Sequence, residues 1–328
     1  MHTSREPNPD GTGSGENRRY EQLRRGASRN RDSETRSRGL AALSAVWLLA
    51  AAWPLAAHAQ AGGGPAASRD SPADRDAIAF VLGNIEFLLL HEIAHFLIME
   101  KNVPIIGPEE SAADYIATLA LIREEPLDPA QQERGLKFLL AAADAFAAGW
   151  QTGAAQDAEV PYWGSHALGL QRYYQIACLL YGSDPVLFER VPETTGLPPA
   201  RAEGCAAEYA KADHAIRWLL DNYGRQADDP PGAATEVLYE RPRTLVETRV
   251  LQELESLELL ERTVERLHAR FTLERPFTLV MRTCGQAEAA WIADRRELVI
   301  CYDLIDMLYL LGLQAQTGAS RPVSVPEE

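Results

Sequence analysis

From Ile85 to Ile98 the chain is apolar at almost every position except where it reads His91-Glu92-Ile93-Ala94-His95. A helix that is hydrophobic all round has to be buried, so any fold of this chain must enclose two imidazoles and a carboxylate. Left without partners, such groups carry a heavy desolvation cost. Histidines four apart on a helix project from one face, one turn above the other. A single tetrahedral zinc accepts both from there, and Glu92 is placed beside them to act on a water the metal activates. One divalent ion would satisfy all three groups. The plainer alternative is a pair of core histidines satisfied by nearby backbone or acids.

A zinc site needs a third protein ligand. Gly107-Pro108 reads as the start of a second helix, with proline tolerated in its first turn. Glu110 and Asp114 are then i and i+4 and share a face. Taken alone, Glu109 and Glu110 would do no more than complement the dipole at a helix start, and Glu109 competes with Glu110 as a ligand. The order His-Glu-x-x-His and then Glu-x-x-x-Asp resembles the gluzincin-like peptidases, whose third zinc ligand is a glutamate. The resemblance implies Glu110 as ligand and Asp114 as the acceptor that orients a zinc-bound imidazole. The segment that follows the first helix, Lys101 to Asp114, is only fourteen residues long. The chain must therefore fold back sharply at Val103-Pro104.

The stretch His91 to Asp114 also resembles a bacterial family catalogued as a domain of unknown function and described as putative metallopeptidase. Further matching pieces are His166 with Gln171-Arg172-Tyr173-Tyr174, Cys178 with Tyr181-Gly182, and Cys284-Gly285 with Cys301-Tyr302. Together they span most of residues 75 to 312. What the family implies is Zn2+-dependent hydrolysis of a peptide or protein substrate on a zincin-like fold.

The two ends of the chain read differently from its middle. Residues 1–59 form a signal peptide with an extended n-region: Arg36 and Arg38, an apolar run from Leu40 to Ala56, then Ala57-His58-Ala59 as a cleavage site. Residues 60–73 are a Gly/Ala/Ser-rich linker, 74–313 the metallopeptidase-like domain, and 314–328 a polar tail. The protein is thus expected to be exported, periplasmic or secreted, and membrane-bound only if the signal is not cleaved. The whole chain carries a formal charge of −15; its first 59 residues hold nine Arg and six acids, so the rest carries 23 basic and 41 acidic side chains. Such a surface argues against nucleic acid as a partner. Four cysteines in an oxidising compartment point to disulfides. Their local contexts suggest Cys178 with Cys205 and Cys284 with Cys301, and sequence leaves the other pairings open.

Helices are expected over Asp74–Lys101, Pro108–Arg123, Ala130–Gly149, Ala167–Tyr181, Pro199–Tyr223, Arg243–Ala269 and Asp303–Leu313. Strands are expected over Phe277–Thr283, around Ala290-Trp291-Ile292, and over Glu297–Tyr302, with a turn at Asp294-Arg295-Arg296. The fold class is mainly α with a small β-hairpin or sheet (α+β). The hairpin is similar to the edge strand that some zinc peptidases lay beside the metal, but it follows the zinc helix and begins Glu288-Ala289, which favours a structural role. Among the remaining histidines His166, after an aromatic-glycine loop, is the candidate to stabilise an oxyanion beside the base Glu92. Tyr162 and Arg172 are weaker candidates, Tyr173 and Tyr174 are expected in the core, and His214 at the surface. A non-catalytic zinc-binding or interaction protein on the same scaffold is the competing reading.

Overall fold

The computed structural model describes residues 71–123, 129–155, 159–160 and 162–315. The expected signal segment, most of the linker and nearly all of the tail lie outside the described residues. α1 (Pro72–Glu100) begins earlier than expected: Ser71 caps it by accepting from the Asp74 N–H at 3.1 Å, with proline in the first turn. By length and composition α1 could cross a membrane, but 89% of that apolar window is buried inside the protein. It is the helix around which the rest is built.

α2 (Glu109–Ile122) and α3 (Pro129–Ala155) pack against α1, and α4 (Gly169–Ser183) packs against α3 and α2. α3 runs one and a half turns past its expected end. Approach between α1 and α3 is close: a Cβ built on Gly83 would sit 2.6 Å from the Phe138 Cα and 2.7 Å from its carbonyl oxygen. Alanine is ordinarily better than glycine inside a helix by about 1 kcal/mol. Here the clash is with backbone, and overpacking of this kind costs about 1–3 kcal/mol. Gly83→Ala should therefore lower the thermal midpoint by several degrees; a raised midpoint would mean the two helices are not in this contact.

Two expected helices are interrupted. Arg243–Ala269 is α8 (Leu245–Ser256) and α9 (Leu259–Arg270), broken at Glu258, whose φ is 49°. At roughly 100° per residue, the buried stripe Glu247, Val250, Leu251 and Leu254 lies nearly opposite that of Leu259, Leu260, Thr263, Val264 and Leu267. One straight helix could not bury both. Pro199–Tyr223 is likewise α6 (Pro199–Ala202) and α7 (Cys205–Tyr223), and the proline-rich loop before them holds a short α5 (Val191–Thr195), closed by Gly196 at φ 66°.

The sheet has the order β1-β2-β4-β3, with β1 (Thr235–Tyr239), β2 (Phe277–Arg282), β3 (Ala289–Ile292) and β4 (Glu297–Cys301). β1 and β4 both run parallel to β2, and β3 pairs antiparallel to β4 as an edge strand. β1 was not anticipated; its partner Phe277 lies beyond the α8–α9 crossover, so no hairpin turn marks it. The final helix α10 (Tyr302–Ala315) returns along α1, where Gly312 meets Ala77 and Phe80. Disulfides join Cys178 to Cys205 and Cys284 to Cys301, the pairings the local contexts suggested. The first ties α4 to the start of α7, and the second ties the segment after β2 to the end of β4.

Candidate metal centre

The motif lies on α1 where α2 crosses it. His91 is fully buried, Glu92 likewise, and His95 nearly so. Each imidazole is held through Nδ1 by a carboxylate of α2: His91 at 2.9 Å from Asp114 Oδ1, His95 at 2.7 Å from Glu109 Oε1. A neutral ring that donates from Nδ1 presents a lone pair at Nε2. Both Nε2 atoms point to one place, 3.1 Å apart, and Glu110 Oε2 lies 3.2 Å from the first and 3.3 Å from the second. Zinc bonds of about 2.0–2.2 Å in a tetrahedron hold ligand atoms about 3.3 Å from one another. The three atoms are spaced accordingly.

Charge points the same way. Buried Glu92, Glu110 and Asp114 face one buried guanidinium, Arg172, so the ionised cluster with neutral imidazoles carries two surplus negative charges. A divalent cation would neutralise it. Arg172 donates from Nε to Asp114 Oδ2 at 2.7 Å and from Nη2 to Oδ1 at 2.6 Å, while its guanidinium lies over the Phe146 ring at 3.7 Å. A chain of contacts thus runs from Arg172 through Asp114 to His91. Glu92 Oε2 accepts from the Trp291 backbone N–H on the free edge of β3 at 2.9 Å, and its Oε1 is buried without a partner among the described residues. That N–H of the β3 edge is thereby engaged within the protein.

His166, in the loop before α4, reaches the same centre. Its Nε2 is 2.9 Å from Glu110 Oε2, but the contact is not aligned as a hydrogen bond and the nitrogen is otherwise unpartnered. His91, Glu110 and His166 each offer a ligand atom within 4.8 Å of the others.

Proton affinities follow from this crowding. Burial weighs against charge on His91, yet Asp114 and Glu110 outweigh it and its pKa stands above normal. His95 shows the same contest, burial against Glu110 and Glu109, and ends at about 9. Burial lifts Glu92 to about 7 against the pull of His91 and His95. Glu110 is held well below the carboxylate range: burial opposes this, but His166, His91 and His95 surround it. Asp114 is lowered too, by Arg172 and His91 against its own burial. Protons and a cation would compete for the same two Nε2 lone pairs.

Residues 63–220 match the model of the DUF4344 family, described as putative metallopeptidase. Over these residues, just under half of its length, the chain is similar to that family. No curated protein matches the chain, and neither does any solved structure. The family segment contains His91, Glu92, His95, Glu109, Glu110, Asp114, His166, Arg172 and the first disulfide. It stops before the sheet, so the Trp291 contact and the Cys284–Cys301 pair lie beyond the match.

Glu109, the competing ligand by sequence, sits on the far nitrogen of His95 with its side chain 45% exposed. Its contact is with Nδ1 and not with the converging Nε2 atoms. Tyr162 is exposed at 80% and touches none of the cluster, whereas Tyr173 is buried with its hydroxyl on the Thr195 carbonyl, and His214 is exposed. Trp291 was missed as a support for Glu92, and nothing in the residue spacing could have revealed it.

Proposed function

We propose that the protein is an exported zinc-dependent peptidase, with His91, His95 and Glu110 as zinc ligands. The convergence of two Nε2 atoms and one carboxylate oxygen, beside the unpartnered Glu92 Oε1, supports this most strongly. Zinc in that place supplies a Lewis acid that polarises a peptide carbonyl and acidifies water. Glu92 takes the proton from the attacking water and later delivers it to the leaving amine. Its elevated pKa suits both halves of that task, and the Trp291 N–H keeps Oε2 anchored while Oε1 works. Asp114 and Arg172 fix the His91 ring so that Nε2 stays aimed at the centre. The two disulfides and the net negative charge fit an oxidising, exported setting and a peptide or protein substrate.

His166 completes the site as a donor to the oxyanion that forms on the scissile carbonyl. The close group His91, Glu110 and His166 favours a second reading, in which His166 is itself a ligand. His166→Ala distinguishes them. We expect the variant to keep one metal per chain by elemental analysis and to lose roughly 10²–10³ in kcat. Loss of the metal would instead place His166 in the ligand set. The broader test is cleavage of a mixed peptide library by the purified exported chain, abolished by chelation and restored by zinc. A metal-replete protein that cleaves nothing would leave the non-catalytic alternative standing.

A further inference from the structure

A cavity lies on the other side of α1. It encloses about 570 Å3 and opens to solvent on one side, between α1, α2, α7 and α9. Its α1 wall includes Leu90, Ile93 and Leu97, a stripe facing away from His91 and His95 at helical spacing, with Ile98 at its margin. Ile116 of α2, Ile216 of α7 and Leu267 of α9 close the other sides. The apolar lining is aliphatic except for Phe271, which gives a flat aromatic ring or a base little to stack on. Within the cavity Thr263 has its hydroxyl engaged, donating to the Leu259 carbonyl and accepting from Arg266. Water in such a space finds few partners.

Most of the polar side chains in the lining are arginines, of which Arg262 is half-buried and Arg270 exposed. Arg123 is paired with Asp213 and Arg266 with Glu86. Arg262 and Arg270 also line the cavity, and their guanidinium groups have no ion pair or hydrogen bond among the described residues. Glu265 is the one acid in the lining. In a chain with 47 acidic residues against 32 basic, two uncommitted guanidiniums at the entrance of an aliphatic cavity call for an anion. The volume falls in the range of small-ligand sites, roughly 300–1,000 Å3.

We infer that this cavity binds the alkyl chain of a single-chain fatty acid, with its carboxylate held at the mouth by Arg262 and Arg270. An alkyl chain needs no hydrogen bonds from the walls, and a carboxylate matches the planar fork of arginine donors. The site is separate from the metal centre and does not depend on its chemistry.

The test titrates the purified exported chain with 11-(dansylamino)undecanoate, following dansyl fluorescence, and then displaces the probe with dodecanoate or dodecanol. One saturable site is expected, with dodecanoate at least about tenfold tighter than the alcohol of equal length. The double variant Arg262→Ala/Arg270→Ala should bring dodecanoate down to the level of dodecanol and leave dodecanol unchanged. Ala120→Trp, at an exposed position of the lining, should block both without altering the metal content or the thermal midpoint. No saturable binding, equal affinity for acid and alcohol, or probe binding untouched by Ala120→Trp would each overturn the inference. Because metal content is read in the same samples, failure here is distinguishable from failure of the peptidase reading.

Discussion

Glu92→Gln should leave the protein folded and loaded with metal while peptide hydrolysis falls by about 10²–10⁴, the usual contribution of a general base. The substitution keeps the shape of the side chain. The Trp291 N–H still finds an acceptor in the amide oxygen, where Glu92 Oε2 now accepts at 2.9 Å. The NH2 then faces the side on which Oε1 has no partner. Removing a carboxylate that burial already drives to about 7 should cost the fold little. Since Glu92 is not among the converging ligand atoms, metal content should stay at the wild-type level. Elemental analysis and initial rates on the same preparation check both halves. A variant as active as wild type would remove Glu92 from the chemistry, and with it the preference for a peptidase over a non-catalytic zinc protein.

Arg172→Ala should be the most destabilising of the changes near the centre. Asp114 is 3% exposed and Arg172 4%, and the truncation strands a buried carboxylate with His91 as its remaining ionic partner. Breaking a buried pair in this way costs about 3–5 kcal/mol, and the guanidinium over Phe146 is lost as well. The pH dependence carries a signature. In the wild type the Asp114 pKa is depressed, chiefly through Arg172 and His91 working against burial. That stability is present above the unfolded-state value near 4 and is lost as pH falls through the lower folded value. Without Arg172, burial dominates and the sign tends to reverse. The deficit of the variant, measured by urea unfolding of metal-free protein, should be large at pH 7 and shrink toward pH 4. A constant deficit across that range would mean that packing, and not the carboxylate, carries the loss. The variant should also bind metal about 10–100-fold more weakly, because Asp114 no longer holds the His91 ring firmly.

Arg172 also shows where reading the chain reached its limit. Its place on a helix soon after His166 was visible, and so was the shared face of Glu110 and Asp114. That Arg172 would meet Asp114, 58 positions away, was not, because any buried arginine on α4 satisfies the same local pattern. Glu109 and Glu110 are adjacent acids in one first turn; only the crossing of α2 over α1 sends one to His95 Nδ1 and the other to the Nε2 atoms. The break at Glu258 was partly legible, since the apolar stripe changes sides there. β1 was not, because a parallel strand paired across a crossover leaves no turn signal near it.

Spacing along a helix is a property of the backbone, so the residues themselves determined that His91 and His95 share a face, that their helix is buried, and that Glu110 and Asp114 align on the next one. The composition around the four cysteines and the turn at Asp294-Arg295-Arg296 between β3 and β4 were equally local. Which nitrogen each carboxylate holds, how Trp291 reaches Glu92, and the presence of an aliphatic cavity behind the metal helix were decided only by packing. Those contacts join positions up to 199 residues apart, and their geometry depends on how whole helices cross, which no local pattern encodes.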